Sequence, residues 1–282
     1  MKNIQHLGSS VFLAMLLAFS AQSQSLKIMT YNIRLDVASD GENAWPQRRD
    51  FLAAQIKFYE PDIFGTQEGL PQQIGFLQNY FPDYNSAGLG REAGGKGEST
   101  HIFFDKSKFL LKQSHTFWLS PTPDSVSMGW DAACLRVCTA VLLKDKRSKR
   151  QFWVFNTHLD HVGETARQNS INLILKKIEV LNTGKLPVIF MGDLNAEPGS
   201  IIITRLEKEM KNTRTVSETP PFGPSGSFNS FKFEEPVTRL IDYIFVSKSA
   251  GVSVKKYAVL SDSKDLRYPS DHLPVLVELE LR

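Results

Sequence analysis

Two hydrophobic rhythms alternate along the chain from Leu26 onward: short, nearly unbroken apolar runs that read as buried strands, and longer segments with apolar residues at helical spacing. "LKIMTYNI" and "PDIFGTQE" are of the first kind and both close on polar residues, while "AWPQRRDFLAAQIKFYE" between them is of the second. "THIFFD", "FLLKQSHTFWL", "RVCTAVLLKD" and "RQFWVFNTHLD" follow as closely spaced strand candidates, three of them joined by short polar turns of the kind that link antiparallel neighbours. A helix is expected from Glu164 to Asn182, with Ile171, Ile174, Leu175, Ile178 and Leu181 on one face. Then come the strand "LPVIFMGD", a helix starting near Ser200, and a loop rich in Thr, Pro, Gly and Ser that reaches Phe228. "RLIDYIFVS", "VKKYAVLS" and "LPVLVELEL" complete the pattern as three more strands. Strands that outnumber helices, many of them apolar throughout, predict an α/β fold of two packed sheets with helices outside. No repeat or low-complexity linker divides residues 24–282, so one domain is expected.

The first residues follow another rule. Lys2, the apolar run "VFLAMLLAF" and the small polar "SAQSQS" have the make-up of a secretory signal peptide over residues 1–23, with Ala21-Gln22-Ser23 as the cleavage pattern. The run is shorter than the roughly 20 residues that span a bilayer, so no stable membrane anchor is expected. Export to the periplasm or the extracellular space follows, with a monomer as the expected state. Cys134 and Cys138 lie in "ACLRVCTAVLL", which reads as a strand. Residues four apart on a strand are roughly 13 Å apart, too far for a disulfide, so two buried thiols are expected. With 33 Lys and Arg against 30 Asp and Glu, the net charge of +3 over 282 residues neither demands nor excludes a phosphate substrate. The dense basic run "KDKRSKR" reads as a solvated hairpin turn rather than a nucleic-acid track.

Candidate chemistry gathers where strands end. The apolar runs close on Asn32, Glu68, His158 with Asp160, and Asp193 with Asn195; Asp242 sits in "RLIDYIF", and Asp271 and His272 immediately precede the last strand. Brought to one rim, these groups would make a pocket suited to chemistry. Asn32, Glu68 and Asp271 offer the oxygen ligands that Mg²⁺ takes, with Mn²⁺ as the other candidate; Zn²⁺ would call for more His or Cys. For phosphoester hydrolysis Asp193 can hold and deprotonate a water, while Asn195, His158 and His272 can donate to phosphoryl oxygens. Asp242 is the candidate to orient the His272 ring and keep it protonated. Blander readings stand beside these. "GDLN" could be an Asx-capped turn, Glu68 a loop residue, "SDH" a strand start, and Asp242 a partner of nearby backbone. Asp160 and His161 read as a surface turn.

Taken in order, "MTYNIR", "GTQEG", "NTHLDH", "GDLNAEP", "RLIDYIFV" and "SDHLPV" resemble the endonuclease/exonuclease/phosphatase superfamily, the deoxyribonuclease I-like metal-dependent phosphoesterases, over the whole mature chain, and look most like an exported bacterial branch of it. The resemblance implies a four-layer sandwich with the site at one end of the paired sheets, and in-line attack of water without a covalent intermediate. It implies Asn32 and Glu68 as metal ligands, with Asp271 supporting them or holding a second ion. Asp193 would position the water, Asn195 and His158 would stabilise the phosphoryl group or assist the leaving group, and His272 with Asp242 would bind phosphate. Arg136 fits the place of an arginine near the pocket, although a strand arginine with a solvated head fits as well.

Specificity is expected from three rim segments: "GLGREAGGKGEST" with Arg91, Lys96 and Glu98, "SPTPDSVSMGWDAA" with Trp130, and "SETPPFGPSGSFNSF" with Phe228 and Phe231. The first reads as a mobile loop in which Arg91 and Lys96 could grip a second phosphate, and Trp130 or Phe228 could stack on a base or sugar. The expected activity is phosphodiesterase or phosphatase action on a phosphorylated small molecule or a nucleic-acid fragment. A secreted nuclease and a non-catalytic phosphate- or glycan-binding module are the alternatives.

Overall fold

The computed structural model describes residues 24–248 and 251–281; the leader expected over 1–23 lies outside them. The strands are β1 (Gln24–Asn32), β2 (Ile63–Gln67), β3 (Tyr84–Ala87), β4 (Gly90–Glu92), β5 (Lys96–Ser99), β6 (Ile102–Asp105), β7 (Phe109–Trp118), β8 (Val137–Asp145), β9 (Gln151–His158), β10 (Val188–Asp193), β11 (Met210–Asn212), β12 (Asp242–Ser247), β13 (Val252–Val259) and β14 (Val275–Leu281). The α-helices are α1 (Trp45–Tyr59), α2 (Pro71–Tyr80), α3 (Glu164–Leu181), α4 (Ile201–Glu209) and α5 (Thr213–Val216). One six-stranded sheet has the order β13-β14-β1-β2-β6-β3, a second has β11-β12-β10-β9-β8-β7, and β4 and β5 form a separate hairpin.

The unbroken apolar runs are explained by burial on both faces of each sheet. Ile28 and Ile63 of the first sheet meet Val154, Ile189 and Ile244 of the second in the inter-sheet core. Their chain neighbours face outward: Met29 and Phe64 pack with Leu52, Ile56 and Leu77 of α1 and α2. On the far side Phe155, Phe190 and Phe245 pack with Ile171, Ile174, Ile203 and Leu206 of α3 and α4. The result is the expected four-layer α/β sandwich. Both sheets are mixed, because β1 runs parallel to β2 and β9 parallel to β10, with antiparallel pairs elsewhere.

Several local expectations change. The short turn between "THIFFD" and "FLLKQSHTFWL" does not join neighbours: β6 belongs to the first sheet and β7 to the second. The chain can cross there because Phe104 and Phe109 both enter the inter-sheet core. Helix α2 carries no strong apolar stripe; only Ile74 and Leu77 are its buried apolar residues, and Gln73 is buried with them. The glycine-rich "GLGREAGGKGEST" is not an open loop but the β4–β5 hairpin. Cys134 precedes β8 and is half-buried, whereas Cys138 is buried on it, and both are free.

Candidate active site

Strand direction explains why the polar ends meet. In the parallel pairs β1–β2 and β9–β10 the C-terminal ends point the same way, which delivers Asn32, Glu68, His158 and Asp193 to one rim. Strand β12 runs the other way and starts there, with Asp242 opposite Asp193 in the ladder. Below the rim, buried polar groups join the two sheets. Gln67 Nε2 donates to Asn156 Oδ1 at 2.6 Å, and Asn156 Nδ2 donates to the Thr66 and His101 carbonyls. These are core positions that apolar patterning alone leaves unmarked; the "TQ" and "FN" interruptions of the apolar runs were their only signal.

Asp193 is the hub. Its Oδ2 accepts from Asn32 Nδ2 at 3.0 Å and lies 3.3 Å from His158 Nε2 and 3.8 Å from His272 Nε2. Its Oδ1 accepts from the Asn195 backbone N–H at 2.9 Å, an Asx turn that puts Asn195 at φ 45. The turn and the chemical reading of "GDLN" are therefore both present, since the turn is what aims the carboxylate. Gly192 is required beside it: at φ 147, a Cβ would lie 2.0 Å from the Thr157 carbonyl oxygen of β9. Asn195 Nδ2 donates to the Leu159 carbonyl at 3.0 Å and reaches His158 Nε2 at 3.1 Å. Held by the carbonyl in that orientation, it makes Nε2 the acceptor nitrogen of His158.

His272 and Asp242 form a pair, Nδ1 to Oδ2 at 2.9 Å. Ser227, which sequence reasoning missed, locks it: its hydroxyl donates to the same Asp242 oxygen at 2.6 Å and accepts from the Ile241 and Asp242 backbone N–H groups. Phe228 lies against the His272 ring at 4.7 Å between centroids. Burial pulls His272 down, but the Asp242 and Asp193 charges outweigh it and hold the imidazolium up to about 10. His158 goes the other way: burial, with Arg136 and His272 adding, keeps it well below the usual range and neutral. Asp193 is pushed up to about 7 by burial and by Asp242, opposed by His272.

Glu68 is held in a left-handed backbone conformation, φ 63, with Oε1 accepting from Asn32 Nδ2 and Oε2 from the Leu35 N–H, both at 3.0 Å. Burial raises the Asp271 carboxyl, and the neighbouring Glu68 charge adds to that. A buried carboxylate whose ionisation a neighbouring carboxylate opposes fits a hard divalent cation. Asn32 presents its amide nitrogen to Glu68 and Asp193, while its oxygen accepts from the Arg34 N–H at 3.0 Å; it would serve as an oxygen ligand with its amide turned over. Asp193, Asp242 and His272 also bring ligand atoms within 4.8 Å of one another and could hold a metal ion. There, however, a protonated His272 already neutralises the carboxylates, so Glu68 and Asp271 are the better fit.

Arg48 is a second residue the sequence did not single out. Buried, and with no direct carboxylate partner among the described residues, it donates to the Ile33, Arg34, Asn43 and Pro269 carbonyls and so ties the turn after Asn32 to the turn before Asp271. Asp160 is likewise not in a solvated turn. It is 2% exposed and accepts from the Ala133, Cys134, Val162 and Gly163 backbone N–H groups, with Arg136 Nε at 3.5 Å. Burial pushes its carboxyl up, but those donors together with Arg136 hold it at about 2. His161 is exposed at the cavity edge, with Nδ1 accepting from Arg136 at 3.1 Å.

A cavity of about 580 Å³ opens above this floor, lined by Glu68, His158, Asp193, Asn195, Asp271 and His272 together with rim residues. Arg91, Arg136, Phe228 and Phe231 are among the lining, as are Arg34 and Asp40, which sequence reasoning passed over. Arg136 is not a strand arginine with a solvated head: it precedes β8 and is 6% exposed. Trp130 and Lys96 do not line the cavity. Trp130, at φ 44 and 39% exposed, lies next to Asp131, whose carboxylate caps α3 by accepting from the Thr165 and Ala166 N–H groups.

This geometry has counterparts. A structure of a mannosyl-6-phosphatase from Bacteroides thetaiotaomicron is 36% identical, matches 90% of this chain and 99% of that one, and superposes with a TM-score of 0.85. An endonuclease/exonuclease/phosphatase family protein from the same organism is 35% identical over 93% of this chain and 99% of that one, with a TM-score of 0.88. Nocturnin from Rattus norvegicus is 23% identical over 92% of this chain, which spans about two thirds, 66%, of nocturnin's length. The model of the Endonuclease/Exonuclease/phosphatase family matches residues 29–272, from the strand that carries Asn32 to His272 itself. Sheet ends, buried carboxylates and paired histidines thus have one origin: the chain belongs to the endonuclease/exonuclease/phosphatase family and is a phosphoric ester hydrolase.

Proposed function

We propose that this protein is an exported, Mg²⁺-dependent phosphoesterase that hydrolyses a phosphorylated small molecule by in-line attack of water. The observation that carries the reading is the geometry around Asp193: a buried carboxylate 3.8 Å from the Nε2 of His272, whose Nδ1 is 2.9 Å from Asp242, with burial and Asp242 pushing the Asp193 carboxyl up to about 7. A carboxyl group in that range can accept a proton from water at neutral pH. Asp193 takes that proton as the water oxygen bonds to phosphorus; the ester oxygen departs with the electron pair of the broken P–O bond and takes a proton from solvent to leave as the alcohol. His272 donates to the phosphoryl oxygens, where charge develops, while Asn195 and His158 hold each other in place beside Asp193. A divalent cation at Glu68 and Asp271, with Asn32, would supply positive charge to the same oxygens.

The 36% identical mannosyl-6-phosphatase supports a small phosphorylated substrate. A nuclease has less support. The run "KDKRSKR" forms the turn into β9, and the eight residues of β9 place it roughly 25 Å from His158, at the opposite end of the sheet. Export rests on the make-up of residues 1–23, and the monomer is kept as the expected state.

The test is hydrolysis of p-nitrophenyl phosphate, bis-p-nitrophenyl phosphate, hexose 6-phosphates and single-stranded DNA and RNA with Mg²⁺, Mn²⁺ or chelator. Turnover that needs the cation and is lost in Asp193→Ala is expected; equal activity in the variant and with chelator would sink the reading. Cell fractionation and gel filtration test export and the monomer: a cytoplasmic precursor of full length, or a dimer, would overturn them.

A further inference from the structure

Four arginines line the cavity, and each has a carboxylate within 4.0 Å. Arg34 makes two bonds of 2.9 Å to Asp40, Arg91 is 2.6 Å from Glu98, and Arg239 is 3.4 Å from Glu197. Arg136 lies 3.5 Å from Asp160 and 4.0 Å from the second oxygen of Glu98. Asp40 and Glu98 face the same cavity as their partners. A second phosphate placed against this wall would have to displace a carboxylate or lie against one, which like charge opposes. A neutral hydroxyl group suits it better, since it can donate to the carboxylate and accept from the guanidinium at once.

Part of this wall is largely withdrawn from solvent. Arg91 and Glu98 are 15% and 14% exposed and stand on facing strands of the β4–β5 hairpin, and Arg136, 6% exposed, lies behind them. All three share a recess with Glu68 and His158. Across the cavity Phe228 and Phe231 offer apolar surface for the C–H face of a ring.

We propose that the Arg91–Glu98 pair, backed by Arg136, is a subsite for neighbouring hydroxyl groups of the alcohol portion, so that the preferred substrate is the monophosphate of a neutral polyhydroxylated molecule, a sugar phosphate, and not a polyanion. The proposal rests on the phosphoesterase reading and specifies its substrate class. Glu98 and Arg91 act on the alcohol portion, so their loss falls on substrates that have hydroxyl groups to offer.

The experiment compares kcat and KM of the wild type, Glu98→Gln and Arg91→Gln on a hexose 6-phosphate and on p-nitrophenyl phosphate. Loss of hydrogen bonds to charged partners is expected to lower kcat/KM for the hexose phosphate about 10- to 100-fold, mainly through KM, and that for p-nitrophenyl phosphate by less than about 3-fold. Melting temperatures close to that of the wild type show that the variants fold. In the wild type, the hexose monophosphate should be turned over with a higher kcat/KM than a hexose bisphosphate or a dinucleotide. Equal losses on both test substrates, or preference for the bisphosphate or dinucleotide, would overturn the subsite. If the wild type hydrolyses none of these esters, the phosphoesterase reading fails, and the subsite is still decided by calorimetry on Asp193→Asn. There a hexose 6-phosphate should bind about 10-fold more tightly than inorganic phosphate, with the gap lost on adding Glu98→Gln; equal affinities reject it.

Discussion

The floor and the rim of the cavity are built by different means. Floor residues sit at or beside the ends of laddered strands, so that Asp193 faces His158 on one side and Asp242 on the other in fixed register. Rim residues come from a two-stranded hairpin and from connections, and ion pairs such as Arg91–Glu98 and Arg34–Asp40 stand where the floor has ladders. On the proposed reading, groups that meet a reacting atom stand on laddered strands, and groups that read the remainder of a substrate stand on the hairpin and connections.

The largest effect that would break this contrast lies in the floor. His272→Gln should lower kcat/KM on every ester by about 10³-fold, and Asp242→Asn by about 10²-fold, because the histidine loses its orienting and charging partner. The double variant should be no worse than His272→Gln alone, as expected for residues acting as one unit. Additive losses in steady-state assays would mean that Asp242 acts separately from His272.

Next is Asp160, which belongs to neither set but fastens the rim to the floor. Asp160→Asn strands backbone donors and uncouples Arg136, at a cost of about 3–5 kcal/mol, or roughly 6–20 °C in Tm. The sign with pH is fixed by a folded value of about 2, below the ordinary carboxyl range. The contribution of the ionised group is therefore complete above about pH 4 and fades as pH falls toward 2. Melting curves at pH 7 and pH 3 should show the gap to the wild type narrowing; a gap that widens in acid would assign the stability to another group.

Asp160 also shows the limit of what the chain discloses. The sandwich was legible because double-faced burial writes unbroken apolar runs, and the floor because those runs end in carboxylates, amides and imidazoles. Asp160 stands in the same sequence pattern as a solvated turn, and only folding brings Ala133 and Cys134 to its oxygens. Ser227 and Arg48 were hidden for the same reason, since a serine in a polar loop and an arginine on a helix have ordinary uses. The β6–β7 turn was misleading because a short connection can change sheets as readily as it can form a hairpin.

A smaller effect should come from Arg48, a buried contact that α1 makes with the turns beside Asn32 and Asp271. Arg48→Met releases the Ile33, Arg34 and Pro269 carbonyls, which follow Asn32 and precede Asp271, so on the proposed Mg²⁺-dependent reading the Mg²⁺ concentration for half-maximal activity should rise about 10-fold, with kcat at saturating Mg²⁺ changed less. An unchanged metal requirement with lowered Tm would make Arg48 a purely structural link.

The smallest effect is expected at Trp130. An exposed aromatic beside an active site invites a stacking role, and 39% exposure together with a left-handed backbone would suit one. Yet the cavity is lined by its neighbours Cys134 and Arg136 and not by Trp130, whose adjoining Asp131 is committed to capping α3. A substrate confined to the cavity does not reach the indole, so Trp130→Ala should leave kcat/KM for a hexose 6-phosphate within about 2-fold, as for surface substitutions in general. A longer ester would behave differently. If a phosphorylated oligosaccharide loses 10-fold or more in Trp130→Ala while the monosaccharide ester does not, the rim extends beyond the cavity, and the contrast with the floor becomes one between a fixed reaction centre and a graded series of contacts for length.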